Sequence, residues 1–301
     1  MPRISQRVTV AGLVTAGFFA VSAPLAAQDW DAVEIRSEQV ADGVHVIFGR
    51  GGNIGVSEGP DGVFLIDDQF APLTDRILAA VAEITDQDVR FVINTHWHGD
   101  HTGGNENLGE HGAILVAHKA VRDRLSMEWV RERLGADAQT VEARPEVAWP
   151  VITFTEDVTF HLNGDDLHAF HVPDAHTDGD AIIHFQRVNA LHMGDTFFVG
   201  RYPFIDVSSG GSIQGIIAAA ARVLDIADGN TKIIPGHGPV SSKADLQEYH
   251  DLLVRIRDGV AADIAEGKTL DEVRAGAAEI TDHYENPEEV VAAAYLSLEG
   301  N

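Results

Sequence analysis

Four potential metal ligands fall within six residues of this chain: His96, His98, Asp100 and His101, in the run Asn94-Thr95-His96-Trp97-His98-Gly99-Asp100-His101-Thr102-Gly103-Gly104. Imidazoles and a carboxylate crowded in this way compete for solvation unless a cation binds them. Neutral imidazole and carboxylate are the usual ligands of zinc, at about 2.0–2.2 Å. Phe91-Val92-Ile93 reads as a buried strand running straight into the cluster, and Gly99, Gly103 and Gly104 supply the freedom of a tight turn. A polar turn at the carboxyl end of an apolar strand is where open α/β architectures place their chemistry. The spacing points to two ions: His96 and His98 can converge on one if the segment leaves the strand extended, and Asp100 and His101, a turn further on, point to a second.

Three further candidates each follow an apolar run and have a glycine nearby. His176 lies in Asp174-Ala175-His176-Thr177-Asp178-Gly179-Asp180, Asp195 in Gly194-Asp195-Thr196, and His237 in Gly236-His237-Gly238. With these motifs in this order, from about Val40 to about Tyr249, the chain resembles the metallo-β-lactamase superfamily of zinc hydrolases. The resemblance implies an α/β fold, a four-layer αββα sandwich with metals at one edge of two packed sheets. It implies two zincs per chain, one held by His96, His98 and His176, the other by Asp100, His101 and His237, with Asp195 bridging them. Asp67 matches an aspartate that supports the metal-bound histidines from behind, a need zinc sites commonly have. Asp100 would also carry the proton between nucleophile and leaving group, so no serine or cysteine nucleophile is required. An aspartate at 195, in a chain without cysteine, is more like the glyoxalase II, lactonase and phosphodiesterase branches than the best-known β-lactamases.

Arg3 and Arg7, the apolar stretch from Val8 to Ala20 and the small residues Ser22-Ala23-Pro24-Leu25-Ala26-Ala27 read as a secretory signal peptide over residues 1–27. The expectation is a periplasmic or secreted protein whose residues 28–301 form a single domain closed by C-terminal helices. The formal net charge is −26, and loss of the two leader arginines would take it to −28. Such acidity disfavours nucleic acid and anionic membrane as partners and favours a small-molecule substrate.

Along the chain, Val33–Phe48 reads as a strand or hairpin arm, and Gly49–Gly55 as either a hairpin turn or a flap over the metals. Gly62–Asp68 reads as a buried strand ending in acids, and Leu73–Ile84 as an amphipathic helix. Helices are expected over Lys119–Leu134, Ser212–Asp225, Lys243–Glu266 and Thr269–Ile280, and strands over Ile114–Val116, Val151–Phe160, Asp166–Val172, Ala181–Phe185 and Ala190–Met193. Two similar halves would meet near residue 165.

Trp97, inside the ligand motif, either lines or buttresses the site. Phe197, Phe198 and Tyr202, with Pro203 and Phe204, follow Asp195 and read as an apolar substrate wall, with ordinary core as the other reading. His118 could orient substrate, while His192 reads as a structural histidine.

The first functional expectation is an exported dinuclear zinc hydrolase in which a metal-bound hydroxide attacks a cyclic amide or ester. Others are a lactonase, thioesterase or phosphodiesterase on the same site, an iron-dependent persulfide dioxygenase, and a non-catalytic metal-binding protein.

Overall fold

The computed structural model describes residues 29–131, 139–281 and 283–299; the signal peptide expected over residues 1–27 lies outside them. The first sheet begins with six strands: β1 (Arg36–Ala41), β2 (Val44–Phe48), β3 (Ile54–Ser57), β4 (Val63–Ile66), β5 (Val89–Asn94) and β6 (Ile114–His118). A separate hairpin follows, β7 (Trp129–Arg131) with β8 (Gln139–Val141), and β9 (Ile152–Phe154) then completes the seven-stranded sheet beside β6. The second sheet holds β10 (Asp157–Leu162), β11 (Asp165–His171), β12 (Ala181–Phe185), β13 (Ala190–His192) and β14 (Lys232–Ile234), in that order.

Side-chain alternation builds the layers. Phe64 and Ile66 of β4 face the second sheet, where they meet Leu167, Ala169, Ile183 and Ala190. Their neighbours Val63 and Leu65 face outward, onto Ile77 and Val81 of α1 (Thr74–Ile84). The second sheet alternates likewise: Ile183 points inward, while Ile182 and Leu191 point out to helices α5 (Ile213–Ile226) and α6 (Lys243–Ala265). The result is helix on sheet on sheet on helix, the expected αββα order.

β4, β5, β6 and β9 run parallel, as do β13 and β14. Parallel neighbours need crossovers, supplied by α1 between β4 and β5, by α2 (Gly99–Thr102) and α3 (Asn105–Glu110) between β5 and β6, and by α5 between β13 and β14. The carboxyl ends of β4, β5, β13 and β14 therefore open on one rim, and Asp67, the His96–His101 run, Asp195 and His237 follow those ends.

Three expectations are corrected. The helix expected over Lys119–Leu134 is α4 (Lys119–Ser126) only: Met127 is extended and the chain enters β7, so that Trp129 packs on Trp97 with ring centroids 4.6 Å apart. Residues 132–138, including Gly135, lie outside the described residues. The strand expected over Val151–Phe160 is two strands, because the chain leaves the first sheet at Phe154 and enters the second at Asp157; the sheets change there rather than near residue 165. The helix over Thr269–Ile280 is broken into α7 (Leu270–Ala275) and α8 (Ala277–Ile280) at Gly276, and a further helix, α9 (Glu288–Glu299), packs on α6 and α7. Among the described residues no helix is long and apolar enough to cross a membrane.

Candidate metal centre

The rim brings together all seven residues singled out as ligands, in two groups: His96, His98, His176 and Asp195, and Asp100, His101 and His237. His176 reaches the rim from the loop between β11 and β12, and all but Asp100 and His237 are buried.

Each of four imidazoles is held from behind by an acceptor. His176 Nδ1 donates to the Phe204 carbonyl at 2.7 Å, and His98 Nε2 to Asp206 Oδ2 at 2.9 Å. His101 Nδ1 donates to Asp67 Oδ2 at 2.7 Å. His96 Nδ1 donates to Thr95 Oγ1 at 3.0 Å, and that hydroxyl donates in turn to Asp67 Oδ2 at 2.7 Å. With the outward nitrogens carrying the hydrogens, the inward ones present lone pairs. Yet His98 Nδ1 lies 3.1 Å from His96 Nε2 and 2.8 Å from His176 Nε2. Lone pairs at that distance repel unless a cation sits among them. Ligand atoms at the corners of a tetrahedral zinc site would be about 3.3 Å apart, so the donor set fits that ion.

Asp195 faces both groups. Its Oδ2 lies 3.6 Å from His176 Nε2 and 3.9 Å from His96 Nε2, and its Oδ1 lies 3.0 Å from His101 Nε2 and 3.4 Å from His237 Nε2. His101 Nε2 and Asp195 Oδ1 are buried and close, but not in hydrogen-bonding geometry, as expected of two donors aimed at a third body. Asp100 Oδ2 completes the second group, 3.3 Å from His237 Nε2 and 3.7 Å from His101 Nε2.

Burial pushes the His96 and His176 pKa values below the ordinary imidazole range. Burial also pulls on His101, but the carboxylates of Asp195, Asp100 and Asp67 outweigh it and raise its pKa. Burial would raise Asp100; the neighbouring His101 and His237 instead hold it down at about 2. His96 and His176 are thus neutral imidazoles ready to bind, and the second group is an ion-paired set from which a metal must displace a proton.

Asp67 occupies the place expected of it. It is fully buried in the left-handed region at φ 66°, and its Oδ1 also accepts the Thr95 N–H at 2.7 Å. One carboxylate thereby orients both His101 and, through Thr95, His96. The Gly49–Gly55 segment is pinned at its far end: Gly52 N donates to Asp100 O at 3.0 Å and Asn53 N to Gly236 O at 2.7 Å, while Asn53 Nδ2 donates to Pro235 O and Gly238 O at 2.9 and 2.8 Å. Its Arg50 lines the cavity above the candidate metal centre.

That cavity, about 740 Å³, is lined by Asp100, Asp195 and His237 and walled by Phe198, Tyr202 and Phe204. Phe197, expected in the wall, lies elsewhere, and Trp97 buttresses the site rather than lining it. Phe197 is extended, so its side chain points opposite to that of Phe198, into the helical core, where its ring lies 5.1 Å from Tyr249. Trp97 packs with Val121, Leu125 and Trp129, its ring edge against His98 at 4.3 Å, and so buttresses a ligand from outside the cavity. His118 caps α4 and stacks on His171 at 3.9 Å, away from the cavity. His192 is structural, bonded to Asn53 O at 3.0 Å.

Sequence reasoning missed Asp206, Thr95, Asn53 and Asp180. Asp180 carried a readable signal, since an acid shortly after His176 in a Gly/Asp turn can fold back. It accepts the His176 and Thr177 N–H groups at 2.6 and 2.7 Å and the Thr177 hydroxyl at 2.6 Å, while burial pushes its pKa up to about 8. Asp206 gave no signal beyond a turn-forming Asp-Val-Ser-Ser.

A family model described as the metallo-beta-lactamase superfamily matches residues 47–264. A hydroxyacylglutathione hydrolase of Nitrosococcus oceani is 29% identical over 167 residues, 55% of this chain and 55% of that protein. The chain spans about half, or less, of the length of the curated relatives it matches. Among solved structures, a metallo-beta-lactamase from Pontibacter korlensis superposes with a TM-score of 0.60 at 18% identity, over 73% of this chain and 99% of that one. The sec-alkylsulfatase Pisa1 from Pseudomonas sp. superposes with a TM-score of 0.65 at 16% identity, over 87% of this chain and 50% of that one. At such identities the likeness is one of fold.

Proposed function

Since the chain belongs to the metallo-beta-lactamase superfamily, we propose that it is an exported, two-zinc hydrolase acting on the acyl carbon of an ester or cyclic amide. The observation that carries this is the convergence of lone pairs: His96, His98 and His176 aim nitrogens at one point, and Asp195 turns its second oxygen to a separate set. Zinc held by these residues would supply a water whose pKa is lowered towards about 7 and a positive charge for the developing oxyanion.

The chain's own residues do the rest. Asp100, with 30% of its side chain exposed, is the carboxylate placed to take a proton from the attacking water and return it to the leaving group. Asp195 would help hold both ions, with one oxygen turned to His176 and the other to His101. Phe198, Tyr202 and Phe204 shed water and hold the apolar part of the substrate. The net charge of −26 argues against nucleic acid as substrate.

A thioester is the second reading, favoured by the hydroxyacylglutathione hydrolase relative and by an aspartate in place of cysteine at 195. Export is supported by the N-terminal pattern of two arginines, an apolar run and small residues; mass spectrometry of the chain recovered from the periplasm would find it starting near Gln28, and an intact Met1 would refute cleavage.

The decisive experiment counts metals in the purified protein and assays it, with and without chelator, on a chromogenic cephalosporin, a lactone, a thioester and a bis-aryl phosphodiester. Two zincs and chelator-sensitive cleavage of the cephalosporin or lactone bear the first reading out. Selective thioester cleavage transfers it to the second. A single iron with no hydrolysis overturns both.

A further inference from the structure

The family match ends at residue 264, but the chain beyond it returns to the cavity over the metal centre. Glu285, Asn286, Glu289 and Val290 line that cavity together with Arg50 and Arg201. The return is anchored to the loop that follows Asp195. The Tyr202 hydroxyl lies 3.0 Å from Thr281 Oγ1 and accepts the Tyr284 N–H at 2.9 Å, and the two tyrosine rings meet edge to face at 5.2 Å. Asn286, left-handed at φ 58°, turns the chain into α9, which carries Glu289 and Val290 to the cavity.

Four charges at this cavity are available to a ligand. Among the described residues no ion pair within 4.0 Å engages Arg50, Arg201, Glu285 or Glu289, and Arg201 rests only over the Phe198 ring, 5.0 Å from its centroid. In a chain with 47 acidic and 21 basic residues, this cavity places two arginines and two glutamates around one space. A ligand carrying only an anion would meet the arginines but be repelled by the glutamates, and one carrying only a cation would meet the reverse.

We propose that residues 283–290 are a specificity element of this cavity, and that the substrate they select is zwitterionic in the part remote from the scissile bond. Its ammonium is met by Glu285 and Glu289, its carboxylate by Arg50 and Arg201, and its apolar body by Phe198 and Phe204. This rests on the cavity being the substrate site of the hydrolase proposed above.

The test reads binding, not turnover, in the zinc-loaded full chain. Four probes share one apolar body: the dipeptide Phe-Gly, its N-acetyl form, its C-terminal amide, and the form blocked at both ends. Calorimetry should rank the free dipeptide tightest and the doubly blocked form weakest, each matched charge contributing about five-fold, with the ranking compressed at high salt. The E285Q/E289Q variant should lose the advantage of the free amine and keep that of the carboxylate; R50Q/R201Q should do the opposite. Equal binding of all four probes, failure of any to bind, or an amine advantage that survives E285Q/E289Q overturns the proposal. A protein that ranks the probes as expected yet hydrolyses nothing would support this selectivity and sink the hydrolase reading. An active enzyme blind to both charges would do the reverse.

Discussion

His98 donates its Nε2 hydrogen to Asp206 Oδ2 at 2.9 Å, and this outward bond is what leaves Nδ1 facing His96 and His176. Asp206 is itself buried and fixed by the hydroxyls of Ser208 and Ser209, at 2.6 and 2.9 Å. Replacing Asp206 by alanine should therefore free the ring, with about a 10- to 100-fold loss of zinc affinity at the His96–His98–His176 group. Asparagine retains an acceptor and should cost less. Competition with a chromophoric chelator measures both, and unchanged affinity in Asp206→Ala would remove the positioning role.

Asp195 turns one oxygen to each group, whereas His237 serves only the second. Native mass spectrometry of Asp195→Ala should accordingly show weakened occupancy of both sites. His237→Ala should keep the ion held by His96, His98 and His176. Loss of only one ion in Asp195→Ala would contradict the bridging arrangement.

A Cβ placed on Gly52 would lie 2.1 Å from His101 Cε1, while one on Gly99 would meet nothing within 4 Å. Gly52→Ala should thus displace a ligand ring and cost about 1–3 kcal/mol of stability, with zinc lost from the Asp100–His101–His237 group. Gly99→Ala should be close to neutral by the same chemical denaturation assay. Equal behaviour of the two would mean that the loop yields freely.

Asp100→Ala should lower turnover at least 100-fold on whichever substrate of the panel is cleaved, through loss of the proton carrier as well as of a ligand. Steady-state kinetics alongside metal analysis at saturating zinc separates the two contributions. A fully active variant would exclude Asp100 from the chemistry.

Outside the metal centre, His118 gives the pH dependence of stability a calculable sign. Burial, followed by the stacked His171, pushes His118 down to about 4, from about 6.5 unfolded. Between those values the unfolded chain binds the extra proton, so stability is complete above about pH 6.5 and is lost as pH falls towards about 4. Denaturation of the metal-free protein should show this slope, and His118→Gln should flatten it.

Much of this was readable in one dimension. The strand Val89–Asn94 ending in the His96–His101 run follows from an apolar stretch passing into glycine-bounded polar residues. The alternation of Val63 to Ile66 gives two buried faces and hence a sheet covered on both sides. Helix ends were less legible. The stop of α4 at Ser126 depends on Trp129 finding Trp97 and Arg124, whose guanidinium lies 4.7 Å from the Trp129 ring centroid, a contact no local propensity contains. The split of Val151–Phe160 between two sheets was hidden because both halves alternate acceptably as strand.

The residue types that can hold metal, their order along the chain and the sheet faces beneath them are legible from the residues alone, because they are written in spacings of two to five residues. Folding in three dimensions sets which imidazole nitrogen faces inward, that Asp206 holds His98 across 108 residues, that Asn53 ties its loop to Gly238 across 185, and that Phe198 rather than Phe197 walls the cavity. Those choices are set by the packing of one layer against another, which brings together residues whose separation along the chain carries no trace of the contact.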